Sequence, residues 1–143
     1  MSIIIRPCVS GDEAALALVG QATFLETYAG ALPAGDIIAH CRTQHAETHY
    51  AQWLSKPGYR LWLAEMEEGG APVGYAALTP PDCQKAIDSY AETPAAARNF
   101  RAMLSRLIGW GIPRGYSPSN PVDHCEEPGE GGSYSPWADW QFE

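Results

Sequence analysis

The alternation of apolar and polar positions in the first 80 residues predicts the element order β-α-α-β-β. Residues 3–5 are three consecutive isoleucines ahead of Pro7, a run that is typical of a short buried strand. A period of two in YRLWLAEM and in VGYAALT predicts two further strands. The connector EEGGAP contains two glycines that can adopt positive φ, so these two strands should form an antiparallel hairpin.

Two stretches of helical period lie between the first strand and the hairpin. Ser10 and Glu13 fit a capping box, in which the Ser10 hydroxyl accepts from the Glu13 amide, so a helix should start there and end before Gly30. A second helix is predicted from about residue 36 to residue 54, closed by the turn Lys56-Pro57-Gly58. The apolar positions of the first helix are Ala15, Leu18, Val19, Ala22 and Leu25.

A third helix is predicted further along the chain, over residues 94–110. Thr93 and Pro94 suit an N-cap and a first helical turn. Apolar residues then follow at i, i+3, i+4, i+7 and i+8, which is the spacing of an amphipathic helix. These residues are Phe100, Met103, Leu104, Leu107 and Ile108.

From Pro113 onward, proline, glycine and serine recur every few residues, and Val122 is the only branched aliphatic residue. This composition predicts an irregular tail with little regular structure. We therefore divide the chain into a patterned half, 1–82, a helical segment, 83–112, and a tail, 113–143. The fold class predicted from these elements is α+β, with an incomplete C-terminal half.

Length and charge exclude several classes of function. The chain has 143 residues, which is the length of one domain. It carries 9 basic and 17 acidic residues, and because nucleic-acid-binding proteins concentrate Lys and Arg, no nucleic-acid partner is expected. No apolar run is long enough to span a membrane, and MSIIIRP lacks the features of a signal peptide. We therefore expect a cytoplasmic protein without a membrane partner.

The cysteines and histidines offer no recognisable metal site. The four cysteines lie far apart with no C-x-x-C pair, and in a reducing cytosol they should be free thiols. Cys41, His45 and His49 recur at i, i+4 and i+8 on one side of the predicted second helix, with His40 pointing elsewhere. Three ligands spread over two turns of one helix cannot converge on one ion, so we expect no metal.

Residues 1–82 contain several linked features: a strand ending in I-R-P, a capped helix ending in F-L-E-T-Y, a second helix, and a hairpin of the form L-W-L-A-E then G-Y. In this order they resemble the N-terminal half of the GNAT superfamily of acetyl-coenzyme A dependent N-acetyltransferases. The resemblance implies a mixed, mostly antiparallel sheet flanked by helices. It also implies acetyl-coenzyme A as co-substrate and direct attack of an amine on the thioester, helped by a general base.

Arg106, Gly109 and Gly111 match the R-x-x-G-x-G pattern of the family's pyrophosphate loop, so the resemblance implies that they bind the cofactor. Glycines in such a loop let backbone amides approach phosphates at a helix N-terminus. The alternative is the end of a helix with a glycine C-cap. RNFRAMLSRLI is typical of a helix rather than the expected strand, and Gly115 and Pro118 would interrupt a following helix.

The resemblance also places the end of the first helix beside the acceptor, which makes Phe24, Glu26 and Tyr28 candidates for substrate contact. The acceptor would be an amine-bearing small molecule or peptide. Alternatively, both aromatic rings pack against the second helix and Glu26 is an ordinary solvated carboxylate. No residue is assigned as catalytic, because no segment like the family's distal half follows.

Two functions follow from these observations. The first is transfer of an acetyl group from acetyl-coenzyme A to an amine. The alternative is a non-catalytic protein, either a truncated or frame-altered GNAT remnant that departs from the pattern near Cys83, or a small interaction module. A homodimer is a further expectation, in which a partner chain could supply missing strands to a sheet edge. Tail aromatics could dock on the domain or on a partner: Tyr134, Trp137, Trp140 and Phe142.

Overall fold

The structure, a computed structural model, describes residues 2–129, and the predicted α+β class is confirmed. The aromatic residues of the tail lie outside the described residues. The elements in chain order are β1 (Ile3–Pro7), α1 (Glu13–Tyr28), α2 (Ala34–Gln44), α3 (Glu47–Ser55), β2 (Arg60–Met66), β3 (Pro72–Leu78), α4 (Pro80–Asp88) and α5 (Pro94–Gly111), followed by the 3-10 helices Ile112–Arg114 and Pro121–His124.

The three strands form one antiparallel sheet in the order β1-β2-β3. Ile5 of β1 pairs with Ala64 of β2, and Leu63 of β2 pairs with Tyr75 of β3. The predicted hairpin is confirmed, and both glycines of its connector adopt the left-handed conformation, with φ of 84° and 63°. Within residues 2–129, β1 and β3 are therefore the two edges of the sheet.

The prediction that the first strand is buried is wrong. Ile3, Ile4 and Ile5 are all exposed, Ile5 to 72%. The reason is that the helices cover the centre of the sheet, where Leu61 and Leu63 of β2 contact α1, and leave the β1 edge open. A run of β-branched residues predicts a strand but not which strand receives the helices.

The predicted capping box at Ser10 is not formed, and α1 begins at Glu13 with Asp12 as its N-cap. The Asp12 carboxylate accepts from the Val9 amide at 2.7 Å and from both terminal nitrogens of Arg6 at 2.8 Å. The arginine holds the pKa of Asp12 below its usual value, since it favours the ionised carboxylate. The N-cap therefore lies two residues after the Ser10 position that the local pattern predicts, at the residue that pairs with Arg6.

The predicted second helix is two helices, because α2 ends at Gln44 and α3 begins at Glu47. At the break, Ala46 is extended, with φ of −81° and ψ of 148°. Contacts with α1 and α3 hold the break: the Gln21 side-chain amide donates to the His45 carbonyl at 2.8 Å, and the His45 ring bonds to Tyr50. Cys41, His45 and His49, which one continuous helix would place on one face, are therefore divided between α2, the turn and α3.

Two apolar clusters form the core. The first joins α1, α3 and β2, and its buried members are Leu16, Ala17, Tyr50, Leu61 and Leu63. The second joins α4, α5 and the 3-10 helix Pro121–His124, and its buried members are Cys83, Ile87, Ala97 and Val122.

The second cluster shows that residues after position 82 form part of the core. The helix predicted over residues 94–110 is confirmed as α5, although Met103 and Leu107 of its apolar stripe are exposed. Val122 is fully buried, so the tail contributes to the core even though its pattern predicts irregular structure. The division of the chain at residue 83 remains a prediction, and α4 extends across it.

No helix within residues 2–129 is long and apolar enough to cross a membrane.

Candidate functional site

Aromatic and imidazole rings gather where α1, α2 and α3 meet. We call Phe24, His40, His45, Tyr50 and Tyr75 the ring cluster. Phe24 stacks on His40 with their centroids 4.0 Å apart, and His45 lies 5.6 Å from Phe24 and 5.2 Å from His40. The cluster therefore brings α1 and the α2–α3 break together over the sheet.

A chain of hydrogen bonds runs from the ring cluster into the core. His45 Nδ1 lies 2.8 Å from the Tyr50 hydroxyl, which in turn donates to the Tyr75 hydroxyl at 3.1 Å. A hydroxyl carries a single proton, so when Tyr50 donates to Tyr75 it must accept from His45. That arrangement places the imidazole proton on Nδ1 and leaves the lone pair on Nε2.

The electrostatics of the cluster keep both His45 and Tyr50 neutral at pH 7. Burial lowers the pKa of His45, and the nearby His40 and His49 lower it further. Burial also raises the pKa of Tyr50, which is 1% exposed, and the hydrogen bond to Tyr75 adds to that effect. A neutral imidazole with an oriented tautomer can accept a proton at Nε2, which is the property required of a general base.

Gly20 of α1 allows the ring cluster to form. It is buried, and a Cβ built on it would lie well inside van der Waals contact with His45 Nδ1 and the Tyr50 hydroxyl. The requirement is for space rather than for an unusual backbone angle, because Gly20 lies in the middle of a regular helix.

Replacing Gly20 with alanine is expected to destabilise the protein by about 1–3 kcal/mol, even though alanine is the better helix former, because overpacking outweighs helix propensity here. Urea unfolding of the two proteins measures this difference. Gly35→Ala is the matched control, since a Cβ at that helical position meets nothing within 4 Å. Equal stability of the Gly20→Ala protein and the wild type would contradict the close contact.

An apolar cavity of about 420 Å³ opens between α1 and α2 beside the ring cluster. Gln21 connects the two features, since it lines the cavity and its side chain donates to the carbonyl of His45 in the ring cluster. Most of the other lining side chains are apolar: Leu18, Ala22, Leu25, Ile37 and Ile38. The cavity has the character of a site for the carbon skeleton of a small ligand.

The structure brings two of the three predicted acceptor residues together. The ring centroids of Phe24 and Tyr28 lie 4.6 Å apart. Phe24 packs on His40 of α2, which agrees with the alternative that it packs against the second helix. Glu26 is exposed and makes no side-chain hydrogen bond to the described residues, so it is not placed to act as a buried base. Contact of these residues with an acceptor remains a prediction.

Arg106, Gly109 and Gly111 lie on the last turns of α5 and do not form the loop that the resemblance implies. No strand leads into them, because α5 begins at Pro94, and the short 3-10 helix Ile112–Arg114 follows. Helical amides point along the axis toward the preceding turn, so those of the two glycines cannot converge on a phosphate. The left-handed glycine that ends this helical run is Gly115, with φ of 78°.

The residues that the structure describes include no group of three or more His, Cys, Asp or Glu side chains that could hold a metal ion. The expectation that His40 points away from His45 is wrong, because the two rings meet edge to face. The break between α2 and α3 is the physical reason, since it turns His45 toward α1 and out of line with Cys41 and His49.

Sequence reasoning missed Gly20, Tyr50 and Tyr75 as members of the site. A glycine among the apolar positions of a helix is a signal of close approach and could have drawn attention to Gly20. The bond between His45 and Tyr50 spans the helix break, and Tyr75 comes from another strand, so no local spacing relates these residues.

Comparison with protein-family models, with curated proteins and with solved structures found no match to this chain.

Proposed function

We propose that the chain acts as a GNAT-type N-acetyltransferase that transfers an acetyl group from acetyl-coenzyme A to an amine, with His45 as the general base. One observation carries this proposal: His45, whose pKa is lowered by burial and whose Nδ1 bonds to the Tyr50 hydroxyl, lies beside Phe24, within the region that the family resemblance assigns to the acceptor. The α+β order of the first half and its antiparallel sheet are compatible with the family's architecture.

The acceptor side of the reaction follows from these residues. The aromatic faces of Phe24 and Tyr28 attract an ammonium group by cation–π interaction, and the cavity between α1 and α2 takes its apolar substituent. His45 Nε2 takes one proton from the ammonium, and the resulting neutral amine attacks the thioester carbonyl carbon. A C–N bond forms and the C–S bond breaks, coenzyme A leaves as a thiolate that takes up the second proton lost by the nitrogen, and His45 releases its proton to solvent.

Binding of the donor, acetyl-coenzyme A, is not supported by a comparable site. This favours a second candidate function, a non-catalytic protein that binds an amine. The residues expected to cradle the pyrophosphate, Arg106, Gly109 and Gly111, do not fit that task, because they belong to a continuous helix. A non-catalytic remnant or interaction module would keep the ring cluster and bind an amine without transferring an acetyl group to it.

Two measurements on the purified chain separate these candidates. In the first, release of coenzyme A thiol is followed with acetyl-coenzyme A and a panel of primary amines, and the enzyme should show saturable, amine-dependent release. In the second, calorimetry measures binding of acetyl-coenzyme A and, separately, binding of each amine. Binding of an amine without binding of acetyl-coenzyme A supports the non-catalytic module, and absence of both rejects both functions.

A variant at Gly109 tests whether the R-x-x-G-x-G motif binds the pyrophosphate of acetyl-coenzyme A. A Cβ at Gly109 meets nothing within 4 Å, so Gly109→Ala should stabilise α5 by about 0.5–1 kcal/mol and leave any affinity for acetyl-coenzyme A unchanged. Loss of acetyl-coenzyme A binding in a stably folded Gly109→Ala protein would instead show that the motif binds phosphate, contrary to its helical geometry.

A further inference from the structure

Two of the four cysteines meet in the second core cluster. Cys83 lies on α4 and is 1% exposed, whereas Cys125 directly follows the 3-10 helix Pro121–His124 and is partly exposed. Cys125 packs against the cluster that contains Cys83, and its sulfur lies 3.5 Å from the Pro80 carbonyl oxygen. Pro80 is one helical turn before Cys83 on the same face of α4, so the two thiols share one site.

The two thiols lie close enough to influence each other's ionisation. Burial raises the pKa of Cys83 to about 11, and the adjacent Cys125 thiol is the next largest cause. Burial also raises the pKa of Cys125. Both groups are therefore protonated at pH 7, which makes their reaction with an oxidant slow at neutral pH and faster at higher pH.

We propose that Cys83 and Cys125 form a reversible disulfide that links α4 to the end of the 3-10 helix Pro121–His124. The oxidant is a low-molecular-weight disulfide such as oxidised glutathione. The Cys125 thiolate, which is the more exposed, attacks one sulfur of oxidised glutathione and releases the first glutathione thiolate. The Cys83 thiolate then attacks the Cys125 sulfur of the mixed disulfide, the protein S–S bond forms, and the second glutathione leaves. Each cysteine loses one proton, and the oxidant is reduced to two thiols.

The other two thiols are placed differently. Cys8 follows β1 and packs against the first core cluster, and Cys41 lines the cavity between α1 and α2. A bond between Cys83 and Cys125 encloses α5, so it restricts the unfolded chain over a long loop and should raise the stability of the folded state. The bond does not involve the ring cluster, so it is independent of the proposed acetyl transfer.

The test uses the full chain incubated with oxidised glutathione at pH 8.5. Intact mass should fall by two hydrogens without a retained glutathione, peptide mapping should join Cys83 to Cys125, and Tm should rise by roughly 5–15 °C. Dithiothreitol should reverse all three changes. A stable glutathione adduct, a bond between other cysteines or an unchanged Tm would overturn the proposal.

Two variants complete the test. Cys125→Ser removes the more exposed partner and should abolish both the internal disulfide and the Tm rise. The double variant Cys8→Ser/Cys41→Ser should retain both effects, because these cysteines lie outside the second core cluster. Cys83→Ala should likewise abolish the internal disulfide and the Tm rise. If the Cys83→Ala protein does not fold, the result with Cys125→Ser decides whether the disulfide forms as proposed.

Discussion

Replacing His45 with glutamine is expected to lower kcat/KM for acetyl transfer to an amine by about 10²–10⁴-fold, the usual contribution of a general base. Glutamine keeps a polar side chain that can hydrogen-bond to Tyr50 but cannot take up a proton. The fall should therefore come from the chemical step, with the free energy of unfolding nearly unchanged. Steady-state kinetics and urea unfolding of the same preparations measure the two quantities.

The pH profile identifies the group responsible. The pKa of His45 is lowered by burial, so the imidazole stays neutral until the pH falls below the ordinary histidine value. The wild-type rate should hold through neutral pH and decline as the pH falls through that lowered pKa, because the base becomes protonated. The Gln variant should lack this acidic decline.

A matched variant guards against an indirect effect. His124 is exposed and belongs to the 3-10 helix beside the second core, so His124→Gln should keep the wild-type rate and the acidic decline. If His45→Gln retains full activity while the wild type transfers acetyl groups, His45 is not the base, although the chain is an acetyltransferase. If the wild type shows no transfer, the enzyme proposal itself fails.

Truncating Tyr50 to alanine should lower the free energy of unfolding by about 3–5 kcal/mol, as for other large buried aromatic side chains. Tyr50 is among the largest fully buried side chains, and it contacts α1, the sheet and the His45 turn together. Phenylalanine at this position should cost about 1–2 kcal/mol, because it fills the space but leaves the His45 and Tyr75 polar groups without their partner.

Chemical denaturation of both variants measures these differences. Tyr116→Ala is the comparison, because that side chain is mostly exposed and, among the rings of residues 2–129, stacks on Trp110 alone, so its loss should cost less than about 1 kcal/mol. A Tyr50→Ala protein as stable as Tyr116→Ala would mean that the ring cluster does not support the fold.

The predictable part of the fold is the part that local pattern controls. The period of two and the two connector glycines fix the β2–β3 hairpin, and the apolar stripe with Pro94 at its start fixes α5. Both elements satisfy their backbone hydrogen bonds locally or with the next element in sequence, so a short window of sequence contains the determining information.

The parts that could not be predicted depend on distant residues. The helix break at His45 is held by Gln21 and Tyr50, and neither contact is visible in the periodicity of the second helix. Arg106 is the opposite case: it has the spacing of a loop motif, but the apolar stripe around it predicts a helix, and Phe100, Leu104 and Ile108 of that stripe pack against the second core cluster. The longer periodic pattern is therefore the better guide there than the short motif.

The pairing of β1 with β2 has a consequence for how the chain acquires its fold. Ile5 pairs with Ala64, so β1 joins the sheet only after α1, α2, α3 and β2 have been synthesised. The β2–β3 hairpin, in contrast, closes a loop of a few residues. Because closing a long loop costs more entropy than closing a short one, the hairpin should form early and β1 should add late. Until then, Ile3, Ile4 and Ile5 lack the β2 strand with which they pair in the folded sheet.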